Sequence, residues 1–347
     1  MYNFYIEINR GDYMNEKKLL SIERLIRESN FNGCVLIAQG DNIIFKEAYG
    51  MANFEHKVQN TLETKFRIAS ISKQITATAI LKLCEEGLLN VDDTLSKFIP
   101  DFPRGNEITI HHILSNSSGI SNFDLYGDFY DALHNESPIL GLIEMFKYKE
   151  LNFNPGEKYE YSNSGYILLQ YLIETVSNQS YEQYLQDNIF STLGIKSICH
   201  DLYQNIILNR ACPYDIADNK IVNALFLDMR IAGGGGALMS TIEDVHMFNI
   251  ALKNYKIINP KSVNAMYSKN AKINQYVDYG YGVFLAEGEI QGKNRRMNYH
   301  TGGGPGVRTI NAHYPDDNIS LIILSNINDS ETYKNTKNGI ESIILSA

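Results

Sequence analysis

Hydrophobic and polar positions alternate in three different ways along the chain. Between Met14 and Asn30, Leu19, Leu20, Ile22, Leu25 and Ile26 recur at helical spacing, which predicts an amphipathic helix. "GCVLIAQG" and "NIIFKEAYG" follow as short runs rich in β-branched and aromatic residues, and Gly40-Asp41 between them predicts a hairpin. From Ser70 to about Glu86 the pattern becomes that of a long apolar helix, broken by Gly87, Asp92 and Pro100. Residues 108–118 and 163–177 again read as helices, so the stretch from 76 to 255 is mostly helix and loop. Beyond Pro260 strands return in "YGYGVFLAEG", "RMNYHTGG", "VRTINAHYP" and "NISLIILSN", with Asp317-Asn318 marking a turn. A last helix over about 330–345 has Ile340, Ile343 and Ile344 to bury.

Strands at both ends with helices between predict an α/β (α+β) architecture. Residues 14–75 and 256–347 would form a discontinuous sheet domain and 76–255 an inserted, mainly helical domain, with a cleft between them. Successive hairpins without intervening helices make the sheet mainly antiparallel. The 347 residues, 44% of them hydrophobic, suffice for a large core. A net charge of -9 opposes binding to phosphate backbones, so no nucleic-acid partner is expected. Cys34, Cys84, Cys199 and Cys212 lie far apart without CxxC spacing, which suggests neither a disulfide framework nor a zinc knuckle; Cys34 and Cys84 read as core. The opening "MYNFYIEINRGDYMNEKK" has no basic start followed by an apolar run, and no stretch approaches the length of a membrane span. These features lead us to expect a soluble, cytoplasmic protein in which residues 1–13 extend upstream of Met14.

Candidate chemistry begins with "FRIASISKQI", where Ser70 and Lys73 stand three residues apart and share a helical face. A serine hydroxyl needs a base or a favourable electrostatic neighbour to become a nucleophile; a buried lysine whose pKa falls supplies one. The alternative is a helix cap beside a lysine that reaches solvent. This is the only S-x-x-K in the chain, and Ser72 cannot easily share the lysine's face. "FNPGEKYEYSNSGYILL" places Tyr161 and Asn163 between a Pro155-Gly156 turn and a helix, positions from which a phenol relays protons and an amide orients Lys73 or holds a substrate carbonyl. Their alternative is a core tyrosine and a capping asparagine. In "NYHTGGGPGVRT", His300, Thr301 and Gly302 end a strand whose glycines let a substrate approach the backbone, where one strand amide and the Ser70 amide would make an oxyanion hole; a plain glycine-rich hairpin fits the same letters. "IAGGGGALMSTIEDV" reads as a glycine-rich approach to a helix capped by Ser240 or Thr241. His111 and His112 lack a carboxylate partner at helical spacing and read as packing residues, so no metal or cofactor is expected.

Together these stretches resemble the serine beta-lactamase-like family, which includes class C beta-lactamases, DD-carboxypeptidases, D-aminopeptidases and related esterases. Ser70-Ile71-Ser72-Lys73 is similar to its first motif, Tyr161-Ser162-Asn163 to its second and His300-Thr301-Gly302 to its third, from about residue 20 to the C-terminus. The resemblance implies an antiparallel sheet flanked by helices. It also implies Ser70 as the acylated nucleophile, Lys73 and Tyr161 as proton-transfer groups, Asn163 as a substrate contact, and the amides of Ser70 and Gly303 as the oxyanion hole. One position departs: class C enzymes carry lysine where this chain has His300, and no K-[ST]-G occurs. A partly charged His is a weaker seat for a carboxylate than a lysine, so only weak beta-lactam hydrolysis is expected, with Arg308 as a substitute anchor. The expected activity is that of a serine hydrolase acting on a peptide or amide with a D-residue, or on a small ester; a weak class C-like beta-lactamase or a non-catalytic penicillin-binding sensor are the alternatives. Tyr126, Phe129 and Tyr130 suggest an aromatic wall over the cleft.

Overall fold

The computed structural model describes residues 16–123, 130–134 and 137–346; residues 1–13, Tyr126, Phe129 and the side chain of Tyr130 lie outside that description. Strands β1 (Gly33–Gln39) and β2 (Asn42–Tyr49) form the expected hairpin, with Gly40 at φ +62° in its turn. Six more strands follow late in the chain: β3 (Ala271–Lys272), β4 (Val277–Tyr279), β5 (Phe284–Ile290), β6 (Lys293–Gly304), β7 (Val307–Tyr314) and β8 (Ile319–Ser325). They join the hairpin in one eight-stranded antiparallel sheet, ordered β3-β4-β5-β6-β7-β8-β1-β2. β8 pairs with β1 across nearly the whole chain length, Cys34 opposite Leu324, and this pairing closes the discontinuous sheet.

Both faces of the central strands are covered, which explains why β8 is buried along its whole length and reads as consecutive apolar residues over 321–324 rather than as an alternating pattern. On the outer face Val35, Ile37, Ile310 and Ile323 pack under helices α1 (Glu16–Glu28) and, at the C-terminus, α6 (Ser330–Ile344), through Ile22, Ile26, Ile340 and Ile344. On the inner face Leu36, Ala38, Ile322 and Leu324 belong to a larger core with the helical layer. That layer includes α2 (Ser72–Glu85), α3 (Asn163–Ser177), α4 (Ile242–Lys253) and α5 (Pro260–Met266). Among the described residues no helix is long and apolar enough to cross a membrane.

Two expectations change. The helix anticipated over 108–118 is only Ile110–Leu114, because Thr109 caps it, accepting from the His112 amide, and Asn116 turns to φ +54°. The other concerns the segment 76–255: α4, which falls inside it, lies against β8 and β1, so this helix packs on the sheet rather than away from it.

Candidate active site

Ser70 stands in a single 3-10 turn, Ala69–Ile71, that runs directly into α2. Ala69 is held at φ +46°, a left-handed conformation that costs an L-residue about 1–2 kcal/mol. The hydrogen bond from the Ile68 amide to the Leu238 carbonyl and the close packing of Gly302 on Ala69 hold the turn in place. Ser72 faces away: fully buried, its Oγ accepts from the Leu238 amide at 3.3 Å.

The Ser70 Oγ has two polar neighbours. The Tyr161 hydroxyl donates to it at 2.7 Å, and Lys73 Nζ lies 3.3 Å away. Lys73 is fully buried in the first turn of α2, so desolvation holds its pKa well below the usual lysine value. A neutral amine has two N–H groups and one lone pair. Here the N–H groups are used by Asn163 Oδ1 at 2.8 Å and the Gly235 carbonyl at 2.7 Å, which leaves the lone pair for the Ser70 proton. Burial pushes the Tyr161 phenol well up, against the smaller opposing effect of its bond to Ser70, so it remains a protonated donor.

Each partner is fixed by local chemistry. Ser162 caps α3 by accepting from the Gly165 amide, its own amide donates to Asn116 Oδ1, and the Asn163 amide donates to Asn122 Oδ1 at 2.9 Å. Tyr161 and Asn163 are thereby set on either side of a helix N-cap. Gly235 belongs to the four-glycine run; a Cβ there would come within 3.2 Å of Lys73 Nζ and 3.5 Å of Asn163 Oδ1. The run that reads in sequence as an approach to a cap is therefore what lets a main-chain carbonyl reach the lysine. Neither residue type nor spacing signals this, and Gly235 escapes sequence analysis. The cap itself is Thr241, which accepts from the Asp244 amide.

His300 is only 1% exposed and sits among the rings of Tyr161, Tyr279 and Phe284. Its Nδ1 lies 2.7 Å from the Thr301 carbonyl, which only accepts, so Nδ1 carries the proton; Nε2, 3.2 Å away, accepts from the Tyr279 hydroxyl. Burial first, and then the neighbouring Lys73, bring its pKa down to about 3. The structure thus corrects the expectation of a partly charged substrate contact: His300 is neutral, enclosed and without a free nitrogen. Tyr279 carries no motif that would have marked it. Thr301 and Gly303 are exposed, whereas Gly302 is buried, with no room for a Cβ between Thr309 Oγ1 and the Ile68 carbonyl.

Ser70, Asn163 and Gly303 line one pocket of about 130 Å³, whose walls include Leu227, Met229 and Val307. Its charged side chain, Arg67, is tied to buried Asp201 at 2.6 Å, and Asp201 also holds Arg210 at 3.0 Å. Arg308 is not placed as an anchor beside Ser70. Its guanidinium lies where a Cβ on Gly303 would project, whereas that of Gly302 projects toward Ala69, so Arg308 is on the other face of β6. His111 bonds the Tyr281 hydroxyl through Nδ1 and His112 completes the Thr109 capping box.

Penicillin-binding protein 4* of Bacillus subtilis (strain 168) is 29% identical over 340 residues, covering 92% of this chain and 74% of the relative. The crystal structure of a penicillin binding protein from Bacillus halodurans superposes with a TM-score of 0.81 at 26% identity, covering 95% of this chain and 99% of that one. A D-amino acid amidase from Ochrobactrum anthropi SV3, complexed with D-phenylalanine, shares the fold at a TM-score of 0.82 and 20% identity, covering 96% of this chain and 100% of its own. The family model described as beta-lactamase matches residues 22–342, and with the sheet, cleft and serine-centred site already in place, the chain belongs to the beta-lactamase family.

Proposed function

We propose that this protein is a serine hydrolase that opens an amide or peptide bond at a D-residue, or a small ester, through an acyl-enzyme on Ser70. The observation that carries the reading is the placement of two buried groups on one hydroxyl, a desolvated amine at 3.3 Å and a phenol at 2.7 Å. Lys73 takes the Ser70 proton as Oγ attacks the substrate carbonyl; the resulting ammonium is held by Asn163 and Gly235. Tyr161 stabilises the developing alkoxide and passes a proton to the leaving group, and the Lys73 ammonium returns to the phenolate the proton taken from Ser70; charge on the carbonyl oxygen is met by the amides of Ser70 and Gly303. Solvent water then cleaves the acyl ester by the same groups and restores the Ser70 hydroxyl. Thr301, Gly302 and Gly303 form the strand edge along which substrate lies, and Asn163 contacts its amide. His300 serves as a positioning residue for Tyr161 through the ring cage. The relatives' names, penicillin-binding protein and D-amino acid amidase, support the D-residue substrate class.

The weak beta-lactamase reading is favoured less, because Arg67, the charged side chain among the described residues that line the pocket, is held in a largely buried pair with Asp201 rather than offered to a penicillin carboxylate. The deciding experiment is turnover on p-nitrophenyl esters, D-aminoacyl amides, D-Ala-D-Ala peptides and a chromogenic cephalosporin, with adduct mapping by mass spectrometry. An adduct on Ser70, absent in S70A and retained in S72A, with multiple turnovers on a D-amide or ester, is expected. A stoichiometric adduct without turnover would make the protein a sensor instead.

A further inference from the structure

Away from the Ser70 cleft, the inner face of the sheet closes over a second cavity of about 230 Å³, between α4, α5 and strands β6 to β8. Helix–sheet interfaces ordinarily bury apolar side chains, and one stripe of α4 does so with Val245, Phe248 and Leu252. The adjoining stripe, His246, Asn249 and Lys253, lines the cavity instead. Its floor is polar too. Asn298, His313 and Ser320 stand directly opposite one another across β6, β7 and β8, and Asn311 lies two residues from His313 on the same face.

Part of this polarity is satisfied internally. Asn249 and Asn311 exchange amide hydrogen bonds of 2.7 and 2.8 Å, and Asn311 also donates to Gln74 Oε1 at 2.9 Å. His246 is poorly satisfied: it is 3% exposed and neither ring nitrogen makes a hydrogen bond of ordinary geometry, although the Asp41 backbone and the charges of Asp41, Glu243 and Lys46 act on it from beyond the lining. Buried polar atoms left unpaired are costly, and such a group lining a cavity marks a place for a ligand atom. Lys253 is the charged side chain among the described residues of the lining; its half-exposed ammonium meets Asp41 at 3.2 Å and Asn318 Oδ1 at 3.1 Å, so a bound carboxylate shares it with Asp41.

We propose that this cavity is a second ligand site, separate from the Ser70 cleft, for a small carboxylate. Its oxygens meet Lys253 and the imidazole N–H of His246, while its body lies on Ile250, Val263 and Tyr267. A cavity of about 150 Å³ holds benzene, so this one scales to a ligand of about nine non-hydrogen atoms, the size of benzoate. Gln74, which follows Lys73 on α2, forms part of the wall and ties the cavity to the helix that carries the proposed base.

The test uses the full chain with histidine-selective isotope labelling, titrated by NMR with benzoate and with its neutral isostere benzamide; H246Q, H313Q and H300Q assign the resonances. Benzoate is expected to move the His246 and His313 signals with a saturable Kd in the millimolar range, about threefold or more tighter than benzamide, while His300 stays still. N249L, which removes the amide between the two, is expected to weaken the response at least about tenfold. No movement of His246 up to about 50 mM benzoate would mean a cavity that holds water alone and would overturn the proposal. Shifts confined to His300 would place binding in the catalytic cleft, and an equal response to benzamide would remove the carboxylate; either result refutes it.

Discussion

Replacing Tyr161 by phenylalanine isolates the relay from the rest of the fold. The substitution deletes one hydroxyl whose bond is the 2.7 Å contact to Ser70 Oγ and keeps the ring that packs near Lys73 and His300. In the ground state the loss is one neutral hydrogen bond, about 1 kcal/mol, a shift in Tm of no more than about 4 °C for a protein of this size. In the transition state the same hydroxyl faces an oxygen that is gaining negative charge and must release a proton to the leaving group. General acid–base groups contribute about 10²- to 10⁴-fold, or about 2.7–5.4 kcal/mol, so the two effects separate cleanly. The assay is the acylation rate by stopped flow on a p-nitrophenyl ester or a D-aminoacyl amide, beside thermal unfolding. The pH profile adds a signature. Lys73 must be neutral to act, so kcat/KM rises with pH through its lowered pKa, and it stays flat on the alkaline side because burial keeps Tyr161 protonated there. In Y161F the acid limb remains and the whole profile drops; with K73A added, the double mutant falls well short of the product of the single losses, because both groups serve one proton path. Retention of more than about a tenth of the rate in Y161F would refute the relay, as would multiplicative losses.

Further outcomes follow from the same geometry. In N163L the lysine loses an acceptor that favours its charged form, so the acid limb of kcat/KM is expected to move to lower pH; movement to higher pH would show that Asn163 does not hold the amine. H300K, which sequence comparison alone suggests as a way to gain a carboxylate seat, instead drives an unpaired charge into a ring cage beside Lys73. We expect a stability loss of about 3–5 kcal/mol, read by denaturant unfolding, and no rise in the cephalosporin-to-neutral-ester ratio of kcat/KM. A higher ratio would show that position 300 does read a carboxylate.

What the sequence determined by itself is local or repetitive. Ser70 and Lys73 share a helical face because three residues make nearly one turn, and the strands declare themselves by β-branched runs and glycine turns. The order of the three motifs and the antiparallel class of the sheet were legible for the same reason. What tertiary structure alone decided is every property that depends on partners remote in sequence. The Gly235 carbonyl that occupies Lys73 comes from 162 residues away, through a glycine run whose letters describe only a turn. Aromatic spacing does not tell that Tyr279, on β4, accommodates His300 on β6. The charge of His300 is the clearest case: residue identity permits either state at neutral pH, and burial among three rings selects the neutral one. Lys73 follows the same rule, since desolvation depends on all the atoms packed around the amine, and these come together only when α2 is enclosed by α3, the glycine run and the sheet.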